Sequence, residues 1–205
     1  ADNVIAAAEA GKHIVIEKPI AVRLEEMRAM REAVNQAKVK TVVSFVLRWN
    51  PLIVTLKSLI AEGLFGNIYY VETDYQSNIA SWWSGFGEAR TKEMGVSAMM
   101  VAGCHALDTA RWLAGREIGR AARVEEVFAW CGGWRKGNRR EYNYYTNAWS
   151  EDKPPLEYEG LEALLLKMEN GVLGKVTANF DCIMPYTFPV EIRSEERRVG
   201  KECTI

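Results

Sequence analysis

The stretch G-K-H-I-V-I-E-K-P-I, residues 11–20, sets a short apolar run directly against Glu17, Lys18 and Pro19. Four apolar-leaning positions bounded by Gly and Pro read as a brief buried strand. The residues before it, N-V-I-A-A-A-E-A at 3–10, read as the last turns of a helix that Gly11 stops, so the chain opens in mid-fold. Beyond Ala21, Leu24, Met27, Met30 and Val34 recur at helical spacing, and K-T-V-V-S-F-V at 40–46 reads as a second apolar strand. Strand, helix and strand with short links predict a parallel sheet with covering helices, here the closing part of a doubly wound (Rossmann) α/β domain reaching to residue 62. Ligands of such sheets lie outside the carboxyl ends of the strands, which is where Glu17 and Lys18 fall. Pro19 is expected to hold Lys18 in extended backbone. A half-desolvated lysine there can donate a proton or steady a developing alkoxide, although an isolated loop lysine is more often simply solvated.

The composition narrows the partners. The chain has 205 residues, with 26 Lys and Arg against 27 Asp and Glu and a net charge of -1. That balance argues against nucleic acid or an anionic membrane as the main partner. No apolar run approaches the roughly 18 residues of a membrane-spanning helix. Cys104, Cys131, Cys182 and Cys203 lie far apart with no C-x-x-C pair, so neither a metal site nor a disulfide framework is expected, and a reducing, cytoplasmic setting is the expectation.

The pattern changes after residue 47. R-W-N-P at 48–51 places Pro51 in the first turn of a helix carrying Leu52, Ile53, Leu56, Leu59 and Ile60, with Gly63 ending it. N-I-Y-Y-V-E-T-D-Y from Asn67 alternates apolar and polar, as a strand with one wet face does. A Trp-, Ser- and Gly-rich loop, S-W-W-S-G-F-G at 81–87, leads to a helix expected over Val96–Leu113. V-E-E-V-F-A-W and the long run L-E-A-L-L-L-K-M-E-N-G-V-L-G-K-V-T-A-N-F read as further strands, with Asn170-Gly171 as a hairpin turn. The sum predicts a second, α+β domain over 63–192 built on an open, mostly antiparallel sheet. The charged block R-S-E-E-R-R-V-G-K-E-C at 193–203 has no apolar period and resembles a translated sequencing adapter, so 193–205 is expected to be a non-native tail.

A second constellation carries chemistry. In G-V-S-A-M-M-V-A-G-C-H-A-L-D, residues 95–108, a helix puts Val101, His105, Asp108 and, further on, Trp112 on one face. An imidazole there can serve as a general base near neutral pH, and Asp108 one turn later either biases its tautomer or pairs with Arg111. Gly103 would admit a close neighbour. On helix evidence alone, such a histidine is more often a satisfied core residue than a base.

The two segments together resemble the Gfo/Idh/MocA family of NAD(P)-dependent oxidoreductases, through its E-K-P segment and its G-G-x-x-x-x-D-x-G-x-H-x-x-D motif, over residues 1 to about 192. The resemblance implies a dinucleotide-binding domain, a second domain whose open sheet covers the nicotinamide and holds the substrate, and a reacting carbon flanked by Lys18 and His105. It also implies NAD or NADP as cofactor, with Glu17, Lys18, Pro19 and Arg48 on the cofactor side. Asn50, Trp82, Trp83, Arg90 and Asp108 are expected on the substrate side, the tryptophans with Arg90 and Lys92 as a polyol wall or a subunit contact. Tyr186 is not expected to reach the site.

Two departures stand out. Val101 occupies the position of the motif's first aspartate, and no G-x-G-x-x-G occurs in the chain. The expected function is part of an oxidoreductase moving hydride between a nicotinamide cofactor and a sugar, cyclitol or related polyol, in a homo-oligomer. The alternatives are an NAD-using glycosidase of the same fold and a catalytically silent sugar- or nucleotide-binding protein.

Overall fold

The structure is a computed structural model and describes residues 1–196 except 82 and 84. It divides into two compact units, Ala1–Val46 and the chain from Leu47 on.

The first unit is a helix, strand, helix, strand succession, as the apolar spacing predicts. It runs α1 (Asp2–Glu9), β1 (Ile14–Ile16), α2 (Leu24–Ala37) and β2 (Thr41–Val43). Gly11 ends α1 with a φ of +66°, a conformation open to Gly at no steric cost. β1 and β2 pair in parallel, Val15 opposite Val42, and α1 packs on α2. Val15 is 80% exposed within this unit, although strands of a parallel sheet are ordinarily covered on both faces. Glu17 and Lys18 follow β1 at its carboxyl end, and the Lys18–Pro19 peptide is cis.

The second unit begins with a 3₁₀ turn (Val46–Trp49) and α3 (Pro51–Ala61). Then come β3 (Ile68–Gln76), the short α4 (Phe86–Ala89), a π-helical turn (Met99–Gly103) and α5 (Cys104–Ala114). β4 (Val124–Gly132), a small hairpin of β5 (Glu141–Asn143) and β6 (Ala148–Ser150), β7 (Leu161–Met168), β8 (Leu173–Asn179) and β9 (Val190–Ser194) complete it. α3, expected to close the first domain at residue 62, belongs here instead, because Arg48 and Lys57 on this segment are bonded to α5.

Five strands form one sheet in the order β4-β7-β8-β3-β9. Only β3 and β8 run parallel, so the mostly antiparallel expectation holds. β7 and β8 make the hairpin that Asn170-Gly171 foretells, with Gly171 at φ +82°. β9 runs on through Arg193 and Ser194 beside β3, and Glu195 accepts from Asn67 Nδ2 at 2.9 Å. The charged block expected to lie outside the fold therefore starts within it, as an edge strand whose Arg193 lies over the Tyr70 ring. The rest of that block, from 197 on, lies outside the described residues.

α5 lies across one face of the sheet, against β3 and β8. Val71, Thr73 and Tyr75 of β3 alternate toward it with Val176 and Ala178 of β8, all buried. Complete burial of side chains such as Val71, Val176 and Leu113 contributes about 1.5–3 kcal/mol each. Thr73 Oγ1 donates to the Ala106 carbonyl at 2.8 Å, joining strand to helix. The approach is closest at Gly103, where an added Cβ would stand 2.6 Å from Ala178 Cβ and 2.7 Å from Met99 Sδ. The opposite face carries Phe128, Trp130, Leu165 and Leu173 exposed, beside an ion-pair group in which Lys175 bonds Glu72 and lies 3.7 Å from Asp74. Among the described residues no helix is long and apolar enough to cross a membrane.

Gly103→Ala is expected to destabilise the second unit by about 1–3 kcal/mol through overpacking, although alanine is the better helix former. A urea midpoint unchanged or raised by that substitution would show that helix and sheet have room to spare.

Candidate functional site

The histidine helix, expected as one run over Val96–Leu113, is built in three pieces. Val96 turns with φ +65°, rare for a β-branched residue, the π turn widens the backbone over Met99–Gly103, and α5 then carries His105 in its first turn. π segments inside helices recur at functional sites, where the extra residue re-aims a side chain. Glu162 of β7 fixes the start, accepting from Ser97 Oγ at 3.1 Å and from Met99 N at 2.9 Å. Burial pushes its carboxyl above the usual range, partly offset by the N–H groups it receives. A carboxylate there also faces the positive end of the helix dipole.

His105 is 5% exposed. Its ring meets Phe188 edge-on, with centroids 6.2 Å apart. Asp108, one turn on, is not turned to Arg111 as one sequence expectation had it. It accepts two parallel bonds from Arg48, from Nε at 2.7 Å and from Nη2 at 2.8 Å, while Arg111 Nε donates to the Ala122 carbonyl. This fork geometry is the strong form of a carboxylate pair. Arg48 also stacks over Trp112, 5.0 Å from the ring centroid, and its bond to Asp108 raises its pKa despite burial. One helix face thus does carry Asp108 and Trp112 together. Nε and Nη2 of Arg48, expected on the cofactor side, and both oxygens of Asp108, expected on the substrate side, thus bond to each other.

Lys57 was not foreseen. It is 1% exposed and donates to the carbonyls of Trp112 at 2.7 Å and Gly115 at 2.5 Å, closing the carboxyl end of α5. Burial, with Arg48 nearby, pulls its ammonium down to about 8. The signal was present in the sequence, because Lys57 stands between Ile53 and Ile60 at helical spacing on an otherwise apolar stripe.

Other expected site residues have structural employment. Asn50, expected on the substrate side, caps α3, its Oδ1 accepting from Leu52 N at 3.0 Å and Ile53 N at 3.4 Å. Trp83 is partly buried against the core, Arg90 lies 4.0 Å from Glu157, and the backbone N–H of Lys92 donates to that same carboxylate. Trp82 lies outside the described residues. Tyr186, expected to stay away, joins the aromatic surround of His105 through Phe188 at 5.1 Å and Tyr75 at 5.2 Å.

Glu17, Lys18 and Pro19 sit together at the carboxyl end of β1 in the first unit, beside its parallel partner β2. That placement and the lysine's positive charge fit the nicotinamide end of a dinucleotide. Among the described residues no cluster of His, Cys, Asp and Glu is fit to hold a metal ion.

A family model described as the GFO/IDH/MocA C-terminal domain matches residues 53–199, and one described as the oxidoreductase family, NAD-binding Rossmann fold, matches residues 1–45. The chain belongs to the Gfo/Idh/MocA oxidoreductase family. It is 35% identical over 121 residues to levoglucosan dehydrogenase of Pseudarthrobacter phenanthrenivorans, a match covering 56% of this chain and 30% of that protein. It is 41% identical over 70 residues to scyllo-inositol 2-dehydrogenase (NAD(+)) of Bacillus subtilis, covering 34% of this chain and 20% of that protein. A solved structure of levoglucosan dehydrogenase in complex with NADH and L-sorbose superposes with a TM-score of 0.77 at 25% identity, covering all of this chain and 56% of that one. The chain therefore spans little more than half the length of that solved relative, and less of the curated ones.

Arg48→Met would strand the carboxylate of Asp108 in a buried setting. The expected cost is about 2–4 kcal/mol, toward the lower part of the range for broken buried pairs because Arg48 is partly exposed. Equilibrium urea unfolding checks it, and a loss below about 0.5 kcal/mol, the level of a surface pair, would contradict the role given to the pair.

Proposed function

We propose that this chain is part of an oxidoreductase that transfers hydride between a nicotinamide cofactor, NAD or NADP, and a sugar, cyclitol or related small polyol. The observation that carries the reading is His105, buried at the start of α5 just after a π turn, with an aromatic surround on one side and the Arg48–Asp108 pair one turn below. The names of the relatives, a levoglucosan and a scyllo-inositol dehydrogenase, support the substrate class.

A bound nicotinamide supplies the hydride acceptor in oxidation and the donor in reduction. Glu17, Lys18 and Pro19 would hold its nicotinamide end. In oxidation His105 takes the hydroxyl proton, and the Lys18 ammonium stabilises the negative charge gathering on the carbinol oxygen. In reduction His105 returns the proton. Val101 can neither carry a proton nor orient an imidazole, so the chemistry falls on two residues where the family motif would give three. The exposed sheet face with Trp130, 63% exposed, and Phe128, 4.1 Å from it, supports a homo-oligomer formed through that surface.

The test is made in the full-length protein that contains this chain. His105→Ala and Lys18→Met are each expected to lower polyol-dependent reduction of the cofactor by about a hundredfold or more, the usual contribution of a general acid–base group. Turnover within a few-fold of wild type in both variants would remove these residues from the mechanism.

A further inference from the structure

Three aromatic rings meet at one end of the sheet, next to the His105 imidazole of α5. Tyr75 is the last residue but one of β3 and Phe188 precedes β9, and both are buried. Tyr186, two residues before Phe188, is 53% exposed. The three rings contact one another edge to face, with centroids 5.1 to 5.2 Å apart and planes 76° to 89° from each other. Phe188 then meets the His105 imidazole, also edge to face, at 6.2 Å. Phe188 therefore touches both the Tyr186 ring and the imidazole, which places Tyr186 one ring away from His105.

The three rings differ in what they leave open. Tyr75 and Phe188 are enclosed, and the Tyr75 phenol is engaged with Ser77. Tyr186 is braced on two sides by buried rings and faces solvent with the remainder. Burial of part of its surface pushes the phenol up to about 12, which keeps the hydroxyl a neutral donor at any working pH. A tyrosine so held is a rigid amphipathic surface, apolar across the ring and polar at its tip, available at little cost in conformational entropy.

A pyranose or cyclitol has matching chemistry, with an apolar face of ring C–H groups and hydroxyls around its edge. Val101 strengthens the argument, since it removes one carboxylate from the helix face on which a polyol hydroxyl would otherwise find a partner. We propose that Tyr186 is a specificity-determining residue of the His105 site, its ring standing against the C–H face of the sugar or cyclitol and its hydroxyl bonding one of the ring hydroxyls. This assignment rests on the oxidoreductase reading given above.

The experiment uses the full-length protein with levoglucosan and scyllo-inositol as probes, and compares Tyr186→Ala, Tyr186→Phe and His105→Ala. Tyr186→Ala is expected to raise KM about tenfold or more while kcat stays within about threefold, the signature of lost binding shared by ground and transition states. Tyr186→Phe keeps the ring and should recover most of that loss, leaving a deficit of a few-fold for the missing hydroxyl. A residue that only packs would shift thermal stability and leave KM alone. KM for Tyr186→Ala within about twofold of wild type overturns the assignment, as does a fall in kcat matching that of His105→Ala at unchanged KM, which would make Tyr186 a proton-transfer group. If those results come with normal wild-type turnover, only the Tyr186 assignment falls. If the wild-type protein oxidises neither probe, the oxidoreductase reading for this substrate class falls, and the assignment with it.

Discussion

The position of His105 depends first on the ion pair between Arg48 and Asp108. Asp108 sits one helical turn beyond the histidine, so fixing its carboxylate fixes the rotation of α5 about its own axis. Arg48 supplies that constraint from the 3₁₀ turn before α3, and its stacking on Trp112 extends the contact by a second turn. Two further attachments hold the same helix. Gly103 and Ala178 set its distance from the sheet, and Lys57 ties down its carboxyl end. With rotation, height and end all specified, the imidazole has little freedom to wander, which is the condition general acid–base chemistry imposes on its base.

The amino-terminal end of that helix is built differently. Val96 takes a left-handed backbone that costs a β-branched residue about 1–2 kcal/mol, and the π turn begins three residues later at Met99. Glu162, reaching over from β7, holds this corner through Ser97 and Met99. The costs and the compensating bonds lie within one turn of each other, where local rules are commonly broken for function. The valine at 101 belongs to the same turn. Where the family motif has a carboxylate, this chain has a methyl-bearing residue packed inside.

Much of the fold was legible because its signals are local. The β1-α2-β2 succession shows in apolar spacing, the β7–β8 hairpin in Asn170-Gly171, and α3 in Asn50-Pro51. Other features required contacts between distant parts of the chain. Asn50 was read for its type and place after β2, and its part in closing the α3 amino terminus shows only in the fold. Arg48 and Asp108 were each read as candidate site residues, and their mutual pairing across 60 positions has no sequence signature. The π turn escaped because helical periodicity hardly changes over five residues. Tyr186 was not expected at the site, because nothing local in M-P-Y-T-F-P shows which rings it meets. The parallel pairing of β3 with β8 is what returns the segment beyond β8 to the same end of the sheet. The domain boundary moved from 62 to Val46 for a similar reason, since a helix is assigned to the unit on which its side chains close.

In the proposed reaction a polyol carbon bound beside His105 gives up hydride. The most direct measurement is to incubate the full-length protein with NAD or NADP and a polyol deuterated at the oxidised carbon, and to follow the label. The account predicts net formation of reduced nicotinamide carrying the deuterium, in step with a ketone or lactone product. Deuterium retained in the sugar, with no net reduction of the cofactor, would contradict it and leave hydrolysis or simple binding as the function of the fold.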